Sequence, residues 1–275
     1  MSSISDSESE TDTIASRLRP LTIAVLLNSY RSKYIRAIEG SYVRTIGAVA
    51  PDANLTFFEP ANRPDDELPD PAKFDLIVFG GANVDPRKSH PWILRVHQFL
   101  LKLVLCHPNQ KILGLCWGHQ TIARVFGGKI VDMDKPQIGV YDIKLTDPGM
   151  DFFPSSATAG SLLIQQHHRR EVAEPGQGFV ELAQNNQILV NEKRTILTFQ
   201  GHPEKDAQTA RLRMHDSSRW FGFDQQDEKA WAQLNAQIDL PHEGHIIWQR
   251  VLDWVREPLV ESEVQMDRDS RKSRI

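Results

Sequence analysis

The sequence predicts an α/β protein: a mostly parallel central sheet with helices on both faces, plus a small antiparallel section. Three observations carry this expectation. Between residues 21 and 128, apolar strand-forming runs alternate with stretches of helical spacing. The first run, residues 21–27, is apolar almost throughout instead of alternating, as in strands buried on both faces. Beyond Ile130, short strand-like runs follow one another with turns between them.

Taken in order, residues 1–19 are rich in Ser, Asp, Glu and Thr and read as a disordered tail. Residues 21–27 predict the first strand. Tyr34, Ile35, Ile38, Tyr42, Val43 and Ile46 fall at helical spacing, in a helix ended near Pro51. Residues 55–58 predict a second strand. Residues 60–71 hold four prolines and several acids and must be loop. A third strand, residues 74–79, is closed by Gly80-Gly81. Pro91 opens a helix to about Cys106, at a first-turn position that tolerates proline. Residues 111–115 predict a fourth strand, and residues 120–126 a helix ended by Gly127-Gly128. The later strands are expected at 140–145, 179–182, 188–190 and 195–199. Helices at about 204–214 and 244–255 close the series, with Trp220, Trp231, Trp248 and Trp254 as packing or interface residues. No repeat or linker is visible, so residues 20–256 read as one domain and 257–275 as a charged tail.

Bulk properties exclude several classes. The chain has 275 residues, 40% hydrophobic and 25% charged, ordinary for a soluble protein. A net charge of -4 carries no basic excess, so no nucleic-acid partner is expected. No basic segment followed by an apolar one opens the chain, and no apolar run is long enough for a membrane. Cys106 and Cys116 form no C-x-x-C pattern, which argues against a disulfide framework or a zinc site. His242-Glu-Gly-His245 lacks the spacing of a zinc-binding helix. No metal or cofactor is expected, and a reducing cytoplasm fits best.

The chemistry centres on Lys111-Ile-Leu-Gly-Leu-Cys-Trp-Gly-His-Gln120. A strand runs into Gly114-x-Cys116-x-Gly118 and a helix follows at once. Glycines two before and two after the nucleophile let a sharp strand-to-helix turn close. The helix N-terminus favours thiolate over thiol. A lone cysteine is commonly a small buried hydrophobe. Cys106 keeps that reading, whereas the elbow reverses it for Cys116. A thiol needs a base, and Thr198-Phe-Gln-Gly-His-Pro-Glu204 delivers His202 at the end of a strand. Glu204, two residues on, can hold the imidazole tautomer and stabilise its cation.

Gly114-Leu-Cys116-Trp-Gly118-His-Gln120 together with Phe199-Gln-Gly-His202-Pro-Glu204 resembles the signature pair of class I glutamine amidotransferases. The likeness is nearest to stand-alone relatives of the GMP-synthetase amidotransferase domain. It extends through Asp75-Leu-Ile-Val-Phe-Gly-Gly81, Pro91-Trp92-Ile93 and Ala123-Arg-x-Phe-Gly-Gly128. The resemblance implies a flavodoxin-like class I amidotransferase fold, with Cys116 as nucleophile, His202 as base and Glu204 as orienting acid. It implies an oxyanion hole from the N–H groups of Gly81 and Trp117, and substrate contacts at Gly80, Gln120 and His168. Two positions depart from the family pattern. Gln137 and Arg170 stand where acids are common, and an arginine there would repel a substrate ammonium. Without the resemblance, His167 and His168 read as surface loop residues.

The resemblance implies glutamine or a γ-glutamyl compound as substrate. Three readings follow. Ammonia could pass to an acceptor on a separate synthetase partner, since few residues follow Glu204. The chain could act alone as a γ-glutamyl peptidase or hydrolase. It could be a non-catalytic binding module, which an intact Cys116, His202 and Glu204 argue against. The wording around His202 resembles fungal members of the subgroup, some of which serve secondary-metabolite pathways leading to amide-bearing alkaloids.

Overall fold

A computed structural model describes residues 19–156, 159–222 and 226–259. Apart from Arg19 and residues 257–259, the two predicted tails lie outside the described residues. The strands are β1 (Thr22–Leu26), β2 (Asn54–Phe58), β3 (Leu76–Phe79), β4 (Lys111–Leu115), β5 (Lys129–Lys144), β6 (Ser161–Glu174), β7 (Phe179–Ala183), β8 (Ile188–Asn191) and β9 (Ile196–Phe199). The helices are α1 (Ile35–Gly47), α2 (Pro91–Cys106), α3 (Trp117–Val125), α4 (Asp147–Phe152), α5 (Ala207–Phe221), α6 (Glu228–Ile238) and α7 (Gly244–Arg256).

Seven strands form one sheet in the order β2-β1-β3-β4-β9-β8-β7. β2, β1, β3, β4 and β9 are parallel, and β8 and β7 add an antiparallel edge. Every residue of β3, β4 and β9 is buried. The two faces are filled from opposite sides, as the period-2 alternation of a strand requires. Ile23 and Val25 pack with Tyr42 and Ile46 of α1 and with Ile247, Trp248 and Val251 of α7. Ala24 and Leu26, on the other face, pack with α2 through Trp92, Val96 and Leu100 and with α3 through Trp117 and Ile122. The predicted two-sided α/β sheet is therefore present. Trp248 and Trp254 are core residues, Trp231 packs on a smaller cluster, and the Trp220 side chain lies outside the described residues.

Several elements differ from the sequence reading. The strand expected at 140 begins at Lys129, and it pairs antiparallel with β6, which was not foreseen. His167 and His168 are not surface loop residues. They sit in β6, 6% and 3% exposed. Composition misleads here because β6 buries polar residues: Gln165, Gln166, His167, His168 and Arg170 are all inside. The helix expected from 204 starts at Ala207, where the Asp206 carboxylate accepts from Thr209 N at 2.8 Å. α4, a six-residue helix, and α6 were not expected from the sequence. Among the described residues, no helix is long and apolar enough to cross a membrane.

Candidate active site

β4 ends at Leu115 and α3 begins at Trp117, so the whole turn is one residue, Cys116, with φ 51° and ψ −98°. That left-handed φ is strained for a residue with a side chain. The flanking glycines explain how it is tolerated. A Cβ on Gly118 would lie 1.9 Å from the Phe79 carbonyl oxygen, and one on Gly114 would lie 2.6 Å from Ile122 Cδ1. Cys116 N donates to Phe199 O at 2.8 Å, which ties the elbow to the last residue of β9.

Three residues beyond β9 stands His202. Its N–H donates to Gln165 O at 2.8 Å, and its ring Nδ1 lies 2.6 Å from Glu204 Oε1. The pairing fixes the tautomer. Nδ1 carries the proton towards the carboxylate, and Nε2, with no hydrogen bond to another group, faces the thiol. Ser41 Oγ donates to Glu204 O and accepts from Asp206 N at 3.3 Å, clamping this loop onto α1. The thiol lies 3.9 Å from the His167 carbonyl, a long contact that leaves it uncommitted.

The electrostatics shift the pair towards thiolate and imidazolium. Burial opposes ionisation of Cys116, but the His202 ring and the Lys205 ammonium outweigh it and hold the thiol below its ordinary value. Burial and Lys205 oppose a charged His202, but Glu204 and the thiolate outweigh them and raise the ring above its ordinary value. Glu204 itself is held low, against its burial, chiefly by His202.

Gly80 and Gly81 follow β3 and face the elbow. A Cβ on Gly81 would lie 3.1 Å from His202 Cε1 and 3.8 Å from Cys116 Cβ. The buried Asn28 donates to Gly80 O at 3.2 Å. The carbonyl and N–H of one peptide unit point in opposite directions, so this bond sets the direction of Gly81 N–H. Trp117 N–H belongs to the first turn of α3, where donors have no intrahelical acceptor. Gly81 and Trp117 thus bring two backbone N–H groups to the elbow from separate elements.

Gln120 and His168 line a chamber of about 30 Å³ beside Cys116. Gln120 donates to Arg170 O at 2.8 Å and to Gln200 Oε1 at 3.1 Å. His168 Nδ1 lies 3.0 Å from Arg170 O. Only an N–H can pair with a carbonyl, so the acceptor nitrogen is the buried, unpartnered Nε2. Burial pushes this imidazole down to about 3, so it stays neutral. The Arg170 charge is neutralised: its Nε lies 3.6 Å from Asp85 and 3.5 Å from Asp132. Arg87 joins the same two carboxylates at 2.7 and 2.8 Å. Gln137, at the other departure from the family pattern, lies opposite His168 in the β5–β6 ladder.

A second chamber, of about 40 Å³, adjoins the first at Cys116 and is lined by Gly80, Gly81, His202, Glu204, Lys205 and Arg213. The structure thus brings together every residue that the sequence pointed to. Asn28, Lys205 and Arg213 were missed. Lys205 follows the Glu204 acid directly, but a single charge in a loop carries no signal. The others meet the site only through the fold.

The family model for glutamine amidotransferase class-I matches residues 49–218. A "glutamine amidotransferase-like protein" of Penicillium rubens is 33% identical over 243 residues, covering 86% of this chain and 98% of its own. Gamma-glutamyl peptidase 2 of Arabidopsis thaliana is 33% identical over 63% of this chain and 71% of its own. In fold, the chain resembles a glutamine amidotransferase from Thermotoga maritima with a TM-score of 0.64, at 16% identity, over 87% of this chain and 100% of that one.

Proposed function

The chain belongs to the glutamine amidotransferase class-I family, and we propose that it is a cysteine amidohydrolase that opens a γ-glutamyl amide through a thioester on Cys116. The observation that carries this reading is the buried His202–Glu204 bond with Nε2 left for the elbow thiol. The Cys116 thiolate attacks the γ-carbonyl carbon and a C–S bond forms. The oxygen becomes an oxyanion between the N–H groups of Gly81 and Trp117. The His202 imidazolium gives its proton to the amide nitrogen, the C–N bond breaks, and ammonia or an amine leaves. Water enters, His202 takes its proton, and attack on the thioester releases glutamate and the free thiolate. Gln120 and His168 Nε2 hold the glutamyl half, and the paired Arg170 does not repel its ammonium.

The test is release of glutamate from glutamine and from γ-glutamyl amides by the purified protein, with Cys116→Ala as the control. Activity that survives this change sinks the reading. A glutamyl adduct on Cys116, seen by intact mass, supports it.

Two fates of the nitrogen remain distinct. The likeness to a γ-glutamyl peptidase supports hydrolysis by this chain acting alone. Transfer of ammonia would need a separate synthetase, and glutaminase activity would then rise when that partner is added. We further propose use in a fungal secondary-metabolite pathway, in the cytoplasm; the likeness to a Penicillium glutamine amidotransferase-like protein supports only the fungal kinship of the chain. The compounds that accumulate in a producing strain carrying Cys116→Ala test it.

A further inference from the structure

Two chambers meet at Cys116, and they differ in one chemical respect. The chamber beside Gln120 and His168 does not include His202 in its wall. The other one does, together with Glu204, Lys205 and Arg213. In the mechanism above, His202 hands its proton to the departing nitrogen. The departing group must therefore leave on the His202 side, into the Lys205–Arg213 chamber.

This chamber is lined by two buried cations, which ammonia does not need. Lys205 is 6% exposed and Arg213 is 4% exposed. Arg213 is anchored by bonds to Ser32 Oγ at 2.9 Å and Asn83 Oδ1 at 2.6 Å. Among the described residues, the Lys205 side chain makes no hydrogen bond and no ion pair. The Glu204 carboxylate and the Cys116 thiolate act on its ammonium through space, but its N–H groups are left without acceptors, which is costly inside a protein. Of the Glu204 carboxylate, Oε1 is committed to His202 and Oε2 makes no hydrogen bond. An anion entering with the substrate would complete the lysine.

We infer that Lys205 and Arg213 bind a carboxylate on the amine half of the substrate, so that the acyl donor is a γ-glutamyl derivative of an amino acid or other amino-carboxylate. The inference rests on the proposed thioester chemistry for its direction, because that chemistry places the leaving group beside His202. The ammonium of Lys205 is pushed down to about 8 by burial, so it is charged at neutral pH and gains most from an anion.

γ-Glutamylglycine and γ-glutamylglycinamide test this, since they differ only in the charge of the terminal group. The native protein should cleave γ-glutamylglycine with kcat/KM higher by about tenfold or more, the worth of one charge-assisted hydrogen bond. Lys205→Met should bring the ratio of the two substrates towards one, and Lys205→Arg should keep it. A merely structural lysine would lower both substrates together and leave the ratio alone. Equal kcat/KM values in the native protein, or a preference that outlasts both Lys205→Met and Arg213→Gln, overturn the inference. If glutamine is cleaved and neither compound is, the inference falls; if glutamine is not cleaved either, the proposed chemistry fails instead. Calorimetry on the Cys116→Ala protein then decides this inference separately: tighter binding of γ-glutamylglycine supports it and equal binding overturns it.

Discussion

His202 Nδ1 and Glu204 Oε1 are 2.6 Å apart although only Pro203 separates the two residues. The carboxylate turns back on the ring that precedes it, and both are almost wholly buried. Exchanging this acid for its amide removes the charge and keeps the shape. Glu204→Gln should lower kcat by about 10²- to 10⁴-fold with little change in KM. Steady-state glutamate release measures it, and an unchanged kcat would remove Glu204 from the machinery.

The same pair sets the pH profile. The Cys116 thiol lies below its ordinary value and the His202 ring above its own. The value kcat/KM should therefore rise as pH climbs through the lowered thiol pKa and fall as pH passes the raised imidazole pKa. Glu204 contributes to raising the ring. Glu204→Gln should accordingly move the alkaline limb to lower pH, and a limb that stays in place would contradict the assignment.

Gly118 is the tightest point of the elbow. An added Cβ would meet the Phe79 carbonyl at 1.9 Å, and neither backbone has room to give. Gly118→Ala should cost about 2 kcal/mol or more of stability, read from the denaturant midpoint. Native stability with native activity would show that the turn is looser than its geometry.

Asn28 acts at a distance from the sulfur. Its bond to Gly80 O fixes the peptide unit that carries the Gly81 N–H. Asn28→Ala should lower kcat about tenfold while KM holds. A fall in KM and kcat together, or no kinetic change, would argue against a role in holding the oxyanion.

Arg170 depends on shared carboxylates. Asp85→Ala would leave two arginines to the single, half-exposed Asp132. A stability loss of about 1–3 kcal/mol is expected, with a higher KM for substrates bearing an α-ammonium. A deaminated substrate analogue should lose less, and equal losses would separate Arg170 from ammonium binding.

The sequence carried the buried strands and the elbow because both have local signatures. A run such as residues 21–27 needs no partner to be recognised, and Gly114-x-Cys116-x-Gly118 is a turn constraint written into the chain. The polar strand β6 was not legible. Its Gln165, His167 and Arg170 look solvated, and only pairing with β5 and the covering helices makes them interior. The Arg170 departure was legible as a substitution but not as a solution. Asp85 and Asp132 lie far away in sequence, and only the fold brings them to the guanidinium. Asn28 escaped for the same reason, since its role is a bond to a backbone oxygen.

Leu115 and Phe199 are register partners on adjacent parallel strands at the middle of the sheet. Cys116 and His202 stand just beyond them. Their separation is thus governed by the ladder between β4 and β9, one strand spacing of about 4.8 Å, and the centre of a sheet is the last part of a fold to fray. Heating should leave the thiol and imidazole in reach of each other until the sheet itself opens. The cations of the second chamber are held otherwise: Lys205 by the loop after Glu204, and Arg213 by α5 at the periphery. Substrate choice would be lost before reactivity, and a warmed enzyme would become indiscriminate before it became inert.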